Sequence, residues 1–514
     1  MSKIVSNVAR FFFYGVFLVV FVMLFANLFL GADFNSFTVN KDAGLHAYDE
    51  NYDKNLKIVF PNEPTGLEPT LIDVITRQRL VDTYETLVAP DNNMELKPSL
   101  ALSWGMIDSN TWEFRLRPNV VFHDGTAFDS EDAKVSIERA MTYEKSELKN
   151  FLVDITDIKI LDPLNLRIVT KNPDPLLLQK ISMVFMIPAE YKDKEIEIPV
   201  GTGVYKIVSW KKGTQMTFER FSRYWGDEAT FPAVDVYFSP DKSERVQMLV
   251  DGKADFLANV PYEAVDILKN KDFDIERIPS LEVQFIVFNM KSEFMSVLDN
   301  RKAVSLLIDQ NDLIRKVGGF ARTASQFVSN GIFGFNTEIP AHEYDLVKAE
   351  TLAGVALSDK TLQIHLLGGL DVLGEYLRQQ LNKLSIHAVV SYLSPEDLMQ
   401  SMSEGKADIY FLAMKSDLGD ASSFFNDIAS TTGSFNIGRY SNTQVDGLTD
   451  SASAEMDAKS RLMMLKEAMQ IVVQNDPIGV PLFEYETIYA FRKNIYMEPR
   501  IDGFVHFDNL KIKK

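Results

Sequence analysis

Along much of this chain apolar and polar residues alternate with a period of two, the pattern of half-buried strands. Trp112, Phe114 and Leu116 alternate with Glu113, Arg115 and Arg117. DIKILD and NLRIVTK do the same and predict a hairpin turning at Asp162 and Pro163. GTGVYKIVSWKKGTQMTFERF reads as two further strands with turns at its glycines. Helical spacing predicts helices from about Ile72 to Val88, over DSEDAKVSIERAM with an N-capping acid, over DNRKAVSLLIDQNDLIRKV, and over AKSRLMMLKEAMQIVVQND. NLKIVFP, IPSLEVQFIVFNM and PIGVPLFEY are apolar runs of strand type. KTLQIHLLG, LDVLGEYLRQQLNKL and IHAVVSYL read as strand, helix, strand. Residues 286–477 therefore look like consecutive βα repeats, which predict a largely parallel sheet.

One unit occurs twice. SPDKSERVQMLVDGKADFL and SPEDLMQSMSEGKADIYFL share a Ser-Pro start, an acidic first turn, an apolar helix face, GKAD, and an apolar exit. Proline and acids suit a helix N-terminus, so Asp241, Glu244, Glu396 and Asp397 mark two starts. Gly252 and Gly405 stand where a left-handed C-cap is wanted, and FLANV and IYFLAM follow as short buried strands. Helix, glycine stop and strand make half of a βαβ unit, so the repetition predicts two similar α/β lobes.

At the N-terminus, Lys3 and Arg10 precede an uncharged, predominantly apolar run from Phe11 to Leu30, and Asp33 follows it. A helix of that length spans roughly 30 Å, the thickness of a bilayer's hydrocarbon core. The positive flank stays inside and the remainder is exported. Leu30 is large for a signal-peptidase site at Leu30 to Ala32, so an uncleaved membrane anchor is the first reading and a cleaved signal the second. Residues 33–54 are polar and aperiodic, as in a tether. With 514 residues, the chain can build two or three cores. A net charge of −19 opposes nucleic acid as a partner, and the lack of cysteine excludes disulfides, thiolate metal sites and cysteine nucleophiles.

The blocks TYETLV, LKPSLALSW, WEFRLRPNVVFHDGTAFDSEDA, GTGVYKIVSW, RYWGD, DNRKAVSLLID, FNIGRYSNTQVDGL and QNDPIGVPLF run from about residue 55 to the C-terminus. In type and order they resemble the solute-binding proteins of peptide and nickel ABC transporters, the dipeptide- and oligopeptide-binding proteins in particular. The resemblance implies an α/β, two-lobe periplasmic-binding-protein-like clamshell with an extra α+β subdomain inserted in the first lobe. On that pattern residues 1–32 are the anchor (or signal) and 33–54 the tether. Lobe one spans 55–285 with about 90–198 inserted, lobe two spans 286–477, and 478–514 return to lobe one. The implied partners are a short-peptide or small-molecule ligand and ABC permease and ATPase subunits. A monomer without a cofactor is expected, as is a place on the outer side of the cell membrane.

In peptide binders of this family an aspartate of the second lobe receives the peptide's ammonium group. The matching stretch here is MKSDLGDASSFF, which places Asp417 at that position and Asp420 at the family's second acid. Met414 replaces the usual tryptophan and Ala421 the usual proline, which leaves room for another solute such as a metal chelate, a sugar or an opine. Asp417 could equally cap a helix starting near Ala421. Lys415, Arg439 and Tyr440 are further candidates: an arginine can grip a carboxylate bidentately and a tyrosine offers a wall with a polar tip. In the first lobe Glu63, Thr65 and Thr202 stand in loops at strand ends, where α/β proteins collect ligands. Trp210, Tyr224 and Trp225 are expected in the core.

Enzymatic readings are weak. The six histidines are scattered without an HExxH pair, and His123 in FHDG belongs to a turn. GTGVYK lacks the third glycine of a dinucleotide loop, no GKS or GKT follows a glycine-rich loop, and there is no GxSxG elbow. The sequence points to a binder, with a membrane-tethered sensing or interaction protein as the alternative from another class.

Overall fold

The computed structural model describes residues 55–353, 360–416 and 418–513. They form two compact units. The described residues up to Ile278 and from Thr487 onward make a terminal unit, and Pro279–Glu486 makes a central unit. The apolar segment from Phe11 to Leu30, the tether and Asp417 lie outside the described residues. Among the described residues no helix is long and apolar enough to cross a membrane.

The terminal unit is built on β1 (Leu56–Phe60). Leu56, Ile58, Val59 and Phe60 are fully buried, as an apolar run must be when both faces of a strand are covered. After it, β2 (Val88–Pro90) pairs with β3 (Leu96–Pro98). A separate antiparallel sheet follows, made of β4 (Ala101–Asp108), β5 (Thr111–Leu116), β6 (Ile155–Asp162) and β7 (Asn165–Thr170), in the order β4-β5-β7-β6. Here the expected hairpin closes with Asp162 opposite Asn165. Phe114, Leu116, Phe122, Ile137, Leu166 and Ile168 fill a core of their own under this sheet. The chain then returns to β1 through β8 (Tyr205–Lys211), β9 (Gln215–Arg220), β10 (Ala233–Phe238) and β11 (Phe256–Leu257). β10 and β11 run parallel to β1 on either side, β9 and β8 extend the sheet antiparallel beyond β10, and Ala490 and Phe491 pair with β11.

β12 (Phe273–Phe288) carries the chain into the central unit. There the strands are β13 (Ala321–Thr323), β14 (Thr361–Leu367), β15 (His387–Leu393), β16 (Ile409–Lys415) and β17 (Gly479–Arg492). The sheet order is β15-β14-β16-β12-β17, with β13 on β17. β14 is parallel to β15 and β16, but β12 is antiparallel to β16 and β13 antiparallel to β17. The sheet is therefore mixed, which corrects the largely parallel expectation. Only the strands joined by helical crossovers run parallel.

Two helices are shorter than their apolar spacing suggests. The one expected to reach Val88 ends at Leu80. Beyond it the carbonyls of Asp82 and Thr83 accept from the amides of Tyr205 and Gly203, so they cannot close further helical turns. A side chain on Gly201 or Gly203 would collide with this backbone, which explains the glycines of GTG. DNRKAVSLLIDQNDLIRKV divides into Leu298–Leu306 and Gln310–Lys316, because Asp309 caps the second helix through the amide of Asp312.

Each GKAD unit does the same work inside its own unit. The helix Lys242–Val250 is capped by Asp241, and Gly252 follows it at φ 72°; the helix Pro395–Glu404 is capped by Ser394 and ends on Gly405 at φ 68°. Pro395 occupies the first helical turn, whereas Pro240 lies before the cap. Asp255 clasps Lys57 of β1: its amide donates to the Lys57 carbonyl at 2.8 Å and its carboxylate accepts the Lys57 amide at 3.0 Å. Asp408 clasps Gln363 of β14 identically, at 2.9 and 2.6 Å. The motif thus fixes where a helix stops and which strand the exit pairs with.

Candidate functional site

In the central unit, β16 delivers Met414 and Lys415 to the end of the sheet nearest the chain's passages at Pro279 and Glu486. Met414 is buried opposite Val283, and Lys415 stands opposite Glu282. Asp417 follows two residues later. On the neighbouring strands the same end carries charges inside otherwise apolar runs. Glu282 and Gln284 of β12 are buried and hydrogen-bonded to each other. Glu484 of β17 accepts Nε and Nη2 of Arg322 on β13, at 2.8 and 2.6 Å. Burial pushes the Glu484 carboxyl up, and the guanidinium opposes that shift. Sequence reasoning missed Glu282, Arg322 and Glu484. Their signal was a charge inside a buried strand, as in SLEVQFIVF and VPLFEY, since buried polar groups are the informative exceptions.

The other candidates of this unit are placed elsewhere. Asp420 has no exposure; both its oxygens accept from Arg461, at 2.6 and 2.9 Å, and Oδ1 also accepts the Ser422 amide. Such a pair holds the loop after β16 to the helix Ala458–Gln470. Arg439 donates to the Ser403 carbonyl at 2.7 Å, in the last turn of the helix ending at Gly405, so it serves that terminus. Tyr440 is 3% exposed, and burial together with Asp476 raises its phenol.

In the terminal unit, Glu63 accepts from the Trp210 indole at 3.0 Å and the Gly213 amide at 2.7 Å. Thr65 is held by Thr76 and Asp73, and Thr202 is fully buried in the GTG turn. His123 ties the HDG turn to that loop, its ring nitrogen meeting the Gly203 carbonyl at 2.8 Å; burial lowers its basicity. Trp210 and Tyr224 pack on one core and Trp225 on the other, as expected. Another carboxyl emerges beside them. Glu85 accepts from the Tyr224 hydroxyl at 3.0 Å and the Trp225 indole at 2.9 Å, while Arg117 stacks 3.8 Å from the Trp225 ring. Burial pushes Glu85 up to about 7 against these donors.

Both units thus offer fixed carboxylates and cations, and the terminal unit adds indoles, of the kind that hold a polar solute. The sequence profile of the bacterial extracellular solute-binding proteins, family 5, matches residues 95–436, more than half of the chain. The chain belongs to that family. Among similar proteins, the glutathione-binding protein GsiB of Escherichia coli O6:K15:H31 is 26% identical over 86% of this chain and 91% of its own length. Two solved structures share the two-lobe α/β fold of this family-5 protein. Helicobacter pylori DppA in complex with the peptide STSA has a TM-score of 0.70 at 21% identity, covering 90% of this chain and 98% of its own. Campylobacter jejuni NikZ in complex with Ni(L-His) has a TM-score of 0.71 at 23% identity, covering 89% and 99%. Solute binding outside the cytoplasm is the function of the family.

Proposed function

We propose that this chain is the substrate-binding component of an ABC importer and that its solute is a short peptide with a free amino terminus. The observation that supports the peptide reading is the charged strand end at which Lys415 faces Glu282 and Arg322 is paired with Glu484, with Asp417 two residues after Lys415 in the sequence. A zwitterion needs an anion for its ammonium group and cations for its carboxylate, and this strand end supplies both signs. Lys415 is a contact to the solute, and Glu63 and Thr65 are contacts from the terminal unit. Rotation about β12 and β17, which join the units covalently, closes the protein on its guest. Closure requires that the solute prefer the closed state. The loaded protein then docks on a permease driven by cytoplasmic ATPases.

Titration calorimetry with the tetrapeptide STSA and its N-acetylated form tests the anchor. A charge-assisted hydrogen bond of about 1.5–3 kcal/mol predicts a loss of about 10- to 150-fold on acetylation, and D417N should lose the distinction. Equal binding of both forms removes Asp417 from this role. A second reading, a metal–amino acid chelate, is favoured by Met414 in place of an aromatic wall and by the likeness to NikZ with Ni(L-His). It predicts binding of the Ni–histidine chelate and none of the peptide.

We further infer that Phe11 to Leu30 is an uncleaved membrane anchor. Cell fractionation should recover the protein with membranes and with Met1 or Ser2 at its N-terminus. A soluble species beginning near Asp33 contradicts the anchor.

A further inference from the structure

Asp82 follows the helix Val74–Leu80, and His506 and Asp508 flank Phe507 near the other end of the terminal unit's sequence. Phe507 is fully buried and packs edge-on against Tyr205 and Phe218, with centroids at 6.0 and 5.1 Å. That anchor turns the residues on either side of it toward Asp82. Oδ1 of Asp82 accepts the Phe507 amide at 2.9 Å. Its Oδ2 and the Oδ1 of Asp508 are both buried without a hydrogen-bond partner, and Asp82 is only 4% exposed. One ligand atom from each of Asp82, His506 and Asp508 lies within 4.8 Å of the other two.

The nearby cation is already engaged. Arg500 is gripped by Asp502 at 2.5 Å and also donates to Asn92 and the Pro90 carbonyl. The two carboxyl groups therefore face one space with a buried, unbonded oxygen each, an arrangement that favours a positive ligand between them. A neutral imidazole has a ring lone pair to give a metal. We propose that Asp82, His506 and Asp508 bind one divalent transition-metal ion, Zn2+ or Mn2+, which clips the C-terminal segment to the terminal unit.

One nitrogen and two carboxylate oxygens suit borderline Zn2+, and Mn2+ by its carboxylates, better than Ca2+ or Mg2+, which take oxygen alone, or Cu(I), which prefers sulfur. Three protein ligands leave a position for water. The Phe507 amide on Asp82 supplies one outer partner of the kind that orients metal ligands. The spacing of the histidines concealed this cluster because its ligands come from opposite ends of the sequence.

The test uses the untagged full-length chain, stripped with chelator, equilibrated with ZnCl2 or MnCl2 and desalted. Elemental analysis should find about one metal per chain in the wild type and below about a tenth of that in D82N and in D508N. The thermal midpoint should rise by at least about 3 °C with metal in the wild type alone. D508N changes the more exposed carboxylate and decides the matter should D82N fail to fold. The proposal is overturned if the wild type retains no metal, or if D508N retains as much metal and gains the same midpoint shift as the wild type.

Discussion

Glu85 shows how a binding protein can hold a carboxyl in a state set by its surroundings. Its neighbours donate two hydrogen bonds, yet burial dominates and its pKa rises to about 7 from an ordinary 4.5. A raised carboxyl binds its proton more tightly in the folded state. Its contribution is therefore complete below the unfolded value and is lost as pH climbs through about 7. Glu85 keeps some solvent exposure, which screens the effect, so the loss between pH 4.5 and pH 7 should be about 1–3 kcal/mol. Urea unfolding at pH 5 and pH 8 should show the wild type losing more stability than E85Q across that interval. Equal losses would mean that Glu85 is ionised throughout. Asp420 carries the opposite lesson. It matched an acid of the binding motif, but its partner Arg461 lies on a helix that local spacing cannot connect to it.

At the scale of elements, the duplicated GKAD was legible because both of its parts are local. A glycine at φ near +70° ends each helix, and an aspartate reaches the adjacent strand. G252A and G405A should each cost about 1 kcal/mol, since alanine in the left-handed region loses more than it gains. D255A and D408A should cost about 1–3 kcal/mol each by leaving a strand amide without its side-chain acceptor. Chemical denaturation of the four variants measures this, and a cost in one copy without the other would break the equivalence. The strands, the Asp162 hairpin and the strand–helix–strand run from Thr361 to Leu393 were readable from period alone. What was not readable depended on distant partners. Asp309 interrupts a helix of continuous apolar spacing, the GTG loop claims the carbonyls that would have lengthened another, and β12 runs antiparallel because it enters from the terminal unit. The Glu282, Arg322 and Glu484 charges needed three strands to meet before their pairing had meaning.

At the scale of the whole molecule, a chain that passes twice between two units, on β12 and β17, is suited to capture and release. Its family binds solutes, and its proposed anchor would keep it at the membrane. The account rests on a guest that enters and leaves chemically intact. Native mass spectrometry of the protein purified gently from its own cell envelope tests this most directly. It should show a single adduct, released on denaturation as one small solute whose mass and fragmentation match the compound added back in a binding titration. A chain that carries no solute and binds none of the added pool, or one that returns the added compound as a different product, would contradict it.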